Sequence, residues 1–260
     1  MNTSLSDASA GQSAVSILSC AGNPTSARRR VVPSHTDEPD GLLLCLYRRV
    51  AALGEFHCHW HPANRLVAAR LALPLHTVQM VLAVEDKRFW IHPGVDPISI
   101  GRAALMGLLR KGRRQGGSTI PEQVIKLRLR ATRPSTVLTR SYRAAMGIAL
   151  VTLSRRIDIL AEYLDRVYFG RTYFGIHSAS EHYFRRSSAA LTVSQSFFVA
   201  DRIALPNTWR AARIANILRR QLVRDLLGPG LEELPAIYAH SFGQSAGDAV
   251  QHVVDSMTAR

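Results

Sequence analysis

The sequence predicts a mainly α-helical domain, and three observations carry that prediction. Apolar residues recur at helical spacing through most of the chain beyond residue 41. Strand-like alternation is scarce, and Gly or Pro stands near most joints between the helical runs. Taken in order, residues 1–40 are rich in Ser, Ala, Asp and Pro with an RRR at 28–30, and read as a disordered leader. The stretch PLHTVQMVLAVEDKRF reads as a helix entering a polar motif. Further helices are expected over 97–110, 118–130, 136–153, 155–166, 175–184, 191–204 and 209–227. LGPG at 227–230 closes this series, so the domain is drawn at 41–227, with a tail of short helices at 228–260.

At 260 residues and 47% hydrophobic content the chain can fill one good core, which excludes a wholly disordered protein. The formal charge is +14 and is concentrated. Between Pro97 and Ile157 thirteen Lys and Arg face a single acid, Glu122, a net of +12 in one block. A solvated helix surface normally mixes signs, so this block points to a polyanionic partner: nucleic acid, an anionic membrane surface or a phosphorylated ligand. No readable nucleic-acid module accompanies it, and aromatic residues are not interleaved with the basic run.

The three cysteines, Cys20, Cys45 and Cys58, do not make a disulfide framework. His57, Cys58, His59 and His61 invite a metal reading, but structural zinc draws on two separated ligand pairs and no second Cys/His pair follows at suitable spacing. No run approaches the ~18–20 apolar residues of a membrane span. No basic residue precedes Arg28, so no clear signal peptide is seen.

Acids are scarce in this chain, yet VEDKRFWIHPGVD at 84–96 holds three, beside Trp90 and His92. It is followed by GGSTIPEQVIK at 116–126, ILAEYLDRVYFGRTYFGIHSAS at 159–180, ALPN at 204–207 and RIANILRR at 213–220. In that order these segments resemble the motifs of glycosyltransferase family 51, the peptidoglycan transglycosylases, over roughly residues 65–222. The resemblance implies a lysozyme-like helical fold with a small membrane-facing jaw, to which PISIGRAALMGLLRKGRRQ would belong. It also implies polymerisation of lipid II into glycan strands with release of undecaprenyl pyrophosphate, by inverting chemistry. The location it implies is the periplasmic face of the bacterial inner membrane. The partners are lipid II, the growing strand, the anionic membrane surface and other cell-wall synthesis proteins, with no nucleic acid. It fixes no cofactor and leaves a divalent cation, Mg or Mn, as the candidate.

Carried over residue by residue, Glu85 matches the general base that takes the proton of a sugar hydroxyl, a weak nucleophile at neutral pH. Asp86 matches the carboxylate beside it, and Phe89, His92 and Gly94 match positions that shape the cleft. Gly116, Gly117 and Ser118 allow close backbone approach at a helix start, and Thr119, Gln123 and Lys126 match ligand-contacting positions on one helical face. Arg133 and Arg140 are candidates for the second phosphate.

The chain also departs from the family pattern. A second catalytic glutamate is expected in a third motif, but no Asp or Glu lies anywhere from Gln123 to Ile157, and the matching place falls on Arg143 or Tyr142. Arg143 there would tighten diphosphate binding while removing an acid. Pro121 and Glu122 stand where Thr and Gln are usual, and the acid of the fourth motif is displaced by one place to Glu162, a rotation of about 100° on a helix. Glu122 is a candidate stand-in. The alternative reading is therefore a catalytically impaired member that binds lipid-linked precursor as a scaffold or regulator.

Overall fold

The computed structural model describes residues 58–101, 117–130 and 136–259, all within one compact unit, Asp40–Arg260. Arg133 and most of the expected jaw segment lie outside the described residues. The chain is mostly helical. In order the elements are α1 (Ala63–Arg70), α2 (Leu75–Glu85), α3 (Ile120–Arg128), α4 (Val137–Leu153), α5 (Arg156–Arg166), β1 (Tyr168–Gly170), β2 (Tyr173–Phe174), α6 (Ile176–Phe184), α7 (Val193–Ala204), α8 (Ala211–Leu218), α9 (Gln221–Leu227), α10 (Leu234–Phe242) and α11 (Gln244–Thr258). The two strands pair antiparallel as one small hairpin.

The centre is α2. Every residue from Thr77 to Val84 is buried, which a helix apolar all round requires, and α7 packs against it. Even the polar contact between them is internal, Thr77 Oγ1 to Ser196 Oγ at 2.8 Å. No single helix among the described residues is long and apolar enough to cross a membrane; α1 and α2 pass that test only as a pair bent by 115°. Leu234, Tyr238, Ala246, Val250 and Val254 join the same core, so residues of α10 and α11 complete it. Gly247 is the point of closest approach there, since a Cβ on it would stand 2.7 Å from Ala239 Cβ.

Helix starts follow local chemistry. Thr119 accepts the backbone N–H of Glu122 while the Glu122 side chain accepts that of Thr119, a capping box with Pro121 in the first turn, where its missing N–H costs nothing. The TIPEQ departure thus builds a firm start to α3. Thr192 and Gln195 form the same box at α7. The expected helix 209–227 divides at Arg219 and Arg220. The break frees Arg220 Nη1 to donate to the carbonyls of Ala83 (2.7 Å) and Val84 (3.0 Å), orphan acceptors at the end of α2.

The segment Cys58–His61 is a cover on the core. Cys58 is buried, the His59 carbonyl accepts from Gln79 Nε2 at 2.7 Å, and His61 stacks on Trp90 at 4.3 Å between ring centroids.

Where the loop after α2 meets α4, Gly94 has φ +110°, and a Cβ on it would lie 2.4 Å from the Gly147 carbonyl oxygen. Gly94→Ala combines an unfavourable left-handed backbone with overpacking and is expected to lower unfolding free energy by roughly 2–4 kcal/mol. Chemical denaturation of the two proteins checks this, and equal midpoints would contradict the packing described.

Candidate active site

The acid-rich stretch from the end of α2 into the following loop gives each of its three carboxylates a different task. Asp96 forms a buried pair with Arg88, whose Nε lies 3.1 Å from it, and accepts the backbone N–H groups of Ile98 (3.1 Å) and Ser99 (3.2 Å). Burial alone would raise its carboxyl, but the bonds from Arg88 and Ser99 outweigh burial and hold it below the ordinary range. Asp86 is also buried. Its Oδ2 accepts the backbone N–H of Ile120 at 2.9 Å, at the positive end of α3, and faces His92 Nε2 at 2.9 Å. His92 Nδ1 accepts the Gly94 N–H at 3.1 Å, so the ring carries its proton on Nε2 and donates to Asp86. Asp86 therefore ties the end of α2 to the start of α3, with both oxygens in contact with a donor.

Glu85 is held differently. Its side chain is 10% exposed, and each oxygen has one long hydrogen bond: Arg213 Nη2 donates to Oε1 and Gln123 Nε2 donates to Oε2, both at 3.3 Å. These exceed the 2.7–2.9 Å usual for charge-assisted bonds. Burial pushes the Glu85 carboxyl above its ordinary value; Arg213 opposes this, as does Gln123, while Asp201 adds to it and Arg220 opposes it. The carboxylate also sits at the C-terminal, partially negative end of α2. The orientation of Gln123 is set from behind, because the Tyr163 hydroxyl donates to its Oε1 at 3.0 Å. Burial and the charges of Glu85 and Asp86 push that phenol well above its usual range, so it remains a donor.

The other anticipated residues divide by burial. Phe89 is core, in edge contact with Trp90 at 4.9 Å, and Arg156 grips the loop by donating to the carbonyls of Phe89 (2.6 Å) and His92 (2.7 Å). Thr119 is buried as the α3 cap, its hydroxyl donating to the Gly94 carbonyl at 2.6 Å. Phe89, His92 and Thr119 thus act on any ligand through what they hold in place. Gly117 is half-buried and Ser118 exposed ahead of α3. Lys126 is exposed on α3, one turn beyond Gln123 and about 4.5 Å further along the axis. Arg140 is exposed and Arg143 half-buried on α4. Arg143 precedes Gly147 by four residues and so shares the helix face that meets Gly94 and Glu122.

Neither the candidate stand-in Glu122 nor the displaced acid Glu162 is free for chemistry. Glu122 is the capping carboxylate of α3, its Oε2 on the Thr119 N–H at 2.7 Å. Glu162 is paired with Arg128 at 2.9 Å and Arg166 at 3.0 Å, and the Arg128 bond is the main reason its carboxyl is lowered. The one-place shift in the fourth motif turns Glu162 outward and leaves Tyr163 facing Gln123. As for a divalent cation, no group of three His, Cys, Asp or Glu among the described residues can hold one, and the oxygens of Asp86 are already engaged. This donor set does not fit a protein-built cation site, and no step below passes through one.

The described structure is thus a helical fold that sets one carboxylate with two long bonds beside the basic residues of α3. The chain belongs to the transglycosylase family, whose model matches residues 52–226. It is 35% identical over 146 residues to penicillin-binding protein 1F of Bacillus subtilis, covering 56% of this chain and 20% of that protein. It is also similar to the penicillin-binding proteins 1A of Rickettsia felis (34% over 138 residues, 52% of this chain and 17% of that protein) and Haemophilus influenzae (30% over 146 residues, 56% and 17%). The chain therefore spans about a fifth of the length of these relatives.

Sequence reasoning did not identify Arg213, Gln123's partner Tyr163, Arg156 or Arg220. RIANILRR marks where two of them lie, but nothing in it says which arginine reaches Glu85.

A raised acid in the folded state binds its proton more tightly than in the unfolded chain. Between the ordinary value of 4.5 and the folded value, stability falls as pH rises, and above that window the ionised Glu85 destabilises in full. Glu85→Gln stays neutral, so it is expected to melt above the wild type at pH 7 and to lose that advantage below about pH 4.5. Thermal melts across that range check the sign; a variant less stable at pH 7 than at pH 4, relative to wild type, would contradict it.

Proposed function

We propose that the chain is a peptidoglycan glycosyltransferase that polymerises lipid II into glycan strands, with Glu85 as general base. The observation that carries this is the contrast between adjacent acids: Asp86 accepts the Ile120 N–H and faces the His92 ring, each at 2.9 Å, whereas the two bonds to Glu85 are both 3.3 Å. An acceptor 4-hydroxyl can displace Gln123 from Oε2 and lose its proton to the carboxylate as the new glycosidic bond forms. Burial makes Glu85 a stronger base than an exposed glutamate, which suits proton transfer near neutral pH. The donor's anomeric carbon is attacked from the face opposite its diphosphate, which gives inversion.

The departing undecaprenyl pyrophosphate needs cations where its charge builds up. Lys126 and the exposed Arg140, with Arg133 in the neighbouring basic segment, supply them, and Gly117 and Ser118 lie ahead of the α3 N-terminus. The substrate chemistry implies work at an anionic membrane surface, on the periplasmic face of the inner membrane, beside the growing strand and other cell-wall proteins. On α4, Val137 and Leu138 are each 79% exposed and Leu153 is 83% exposed, with Arg140 on the same helix; this supports contact with anionic lipid.

A second reading rests on the acids that are absent or occupied. With Arg143 or Tyr142 where the resemblance puts the second carboxylate, and Glu122 and Glu162 tied up, the same site would bind precursor and turn it over slowly or not at all. Loss of one group supporting a transition state typically costs ~10²–10³ in rate.

Incubating the protein with labelled lipid II in detergent separates the two. Glycan chains from wild type and none from Glu85→Gln are the expected result, with the acid limb of the pH–rate profile above the ordinary glutamate range. Binding without chains would select the second reading. If the missing acid limits the rate, Arg143→Glu raises it; an unchanged or lower rate would contradict that account of the departure.

A further inference from the structure

Behind Glu85 the ionic contacts continue inward. Arg213 on α8 donates from Nη2 to Glu85 and from Nε to Asp201 Oδ1 at 2.9 Å, so two acids share one guanidinium. Asp201, on α7, is fully buried; its Oδ2 accepts the Tyr238 hydroxyl at 2.8 Å and a bond from Arg202. Arg202 is fully buried as well, donating to the carbonyls of Leu205 (2.9 Å) and Thr208. Its guanidinium carbon lies 4.7 Å from the Phe242 ring centroid, 5.0 Å from Phe198 and 5.6 Å from Tyr238. Tyr238 and Phe242 belong to α10, beyond the residues 52–226 that match the family.

Well-packed apolar residues are often as stabilising as such a buried charge array, so stability alone does not account for it. Its geometry has a definite consequence. Whatever share of Arg213 is drawn to Asp201 is withheld from Glu85, and the Tyr238 hydroxyl sets how strongly Asp201 draws. We propose that Tyr238, Asp201 and Arg213 form a positioning relay through which helix α10 governs the charge state and orientation of Glu85. The relay rests on the general-base reading for its effect on turnover, but the coupling itself does not.

The groups that face Glu85 are Arg213 from α8, Gln123 from α3 with Tyr163 of α5 behind it, Asp201 from α7, and Arg220 ahead of α9. Asp201 is faced by Arg202, Arg213 and Tyr238. Removing the charge of Asp201 leaves Arg213 to Glu85 alone, and the Glu85 carboxyl then titrates lower. Removing only the Tyr238 hydroxyl leaves Asp201 charged with one donor fewer. It holds Arg213 more tightly, and Glu85 titrates higher. The two changes act in opposite directions, which a merely structural role does not produce.

The test is the titration of Glu85 in the full chain, read from ¹³C-labelled glutamate carboxyls and assigned by the resonance missing from Glu85→Gln. Relative to wild type, Asp201→Asn is expected to lower the midpoint and Tyr238→Phe to raise it, each by about half a pH unit or more. Unmoved midpoints in the folded variants overturn the relay. Tyr238→Phe keeps the ring and its place over Arg202, so it decides the matter alone if Asp201→Asn does not fold. The titration needs no substrate: a failed relay leaves glycan synthesis standing, and a Glu85→Gln protein that still polymerises removes the base reading while the titration stands.

Discussion

An ionisable carboxylate at the buried, partially negative end of the central helix is the constraint around which this fold is arranged. Glu85 closes α2, whose last eight positions before it are buried, and neither burial nor the helix dipole favours its charge. The fold answers with incomplete compensation. Arg213 and Gln123 approach only to 3.3 Å, and Arg220, whose charge also favours the ionised carboxylate, donates to the backbone carbonyls of Ala83 and Val84. Tighter partners would stabilise the protein and lower the Glu85 carboxyl. The loose ones leave a group that is costly at neutral pH, the same property that the proposed role as general base uses.

The surrounding elements hold that group in place without touching it. Asp86 joins α2 to α3, which brings Gln123 opposite Glu85, and Tyr163 of α5 turns the Gln123 amide so that its nitrogen faces the carboxylate. Arg156 fastens the intervening loop by two carbonyls, and Gly94 against Gly147 lets α4 lie close upon it. Rigid elements placed in this way position a reacting group more finely than a loop could. The basic residues of α3 and α4 then stand at the exposed side, where an anion can reach them.

Much of this was legible in the sequence where the signal is local. The apolar spacing over 118–130 and 191–204 locates α3 and α7, and the acid pair Glu85–Asp86 lies in a motif. What was not legible depends on tertiary pairing. Arg213, Arg156 and Arg220 are three among 33 bases, and nothing nearby in the chain says that one meets a carboxylate and the others carbonyls. The division of 209–227 has the same origin, since α8 and α9 separate where Arg220 must turn toward α2. Glu122 looked like a possible replacement for a missing acid until its partner, a helix start, was visible, and the displaced Glu162 proves to be held by two arginines. Tyr238 carried no signal, because its partner Asp201 lies 37 residues away on another helix.

The most direct test of this account is a crystal structure of the protein with a non-reactive lipid II analogue in the acceptor position and a lipid diphosphate bound beside it. The acceptor 4-hydroxyl is expected within hydrogen-bond distance of Glu85, with Gln123 displaced from that oxygen and the diphosphate against Lys126. A complex in which the ligand sits elsewhere, with Glu85 still closed behind Gln123 and Arg213, would contradict it.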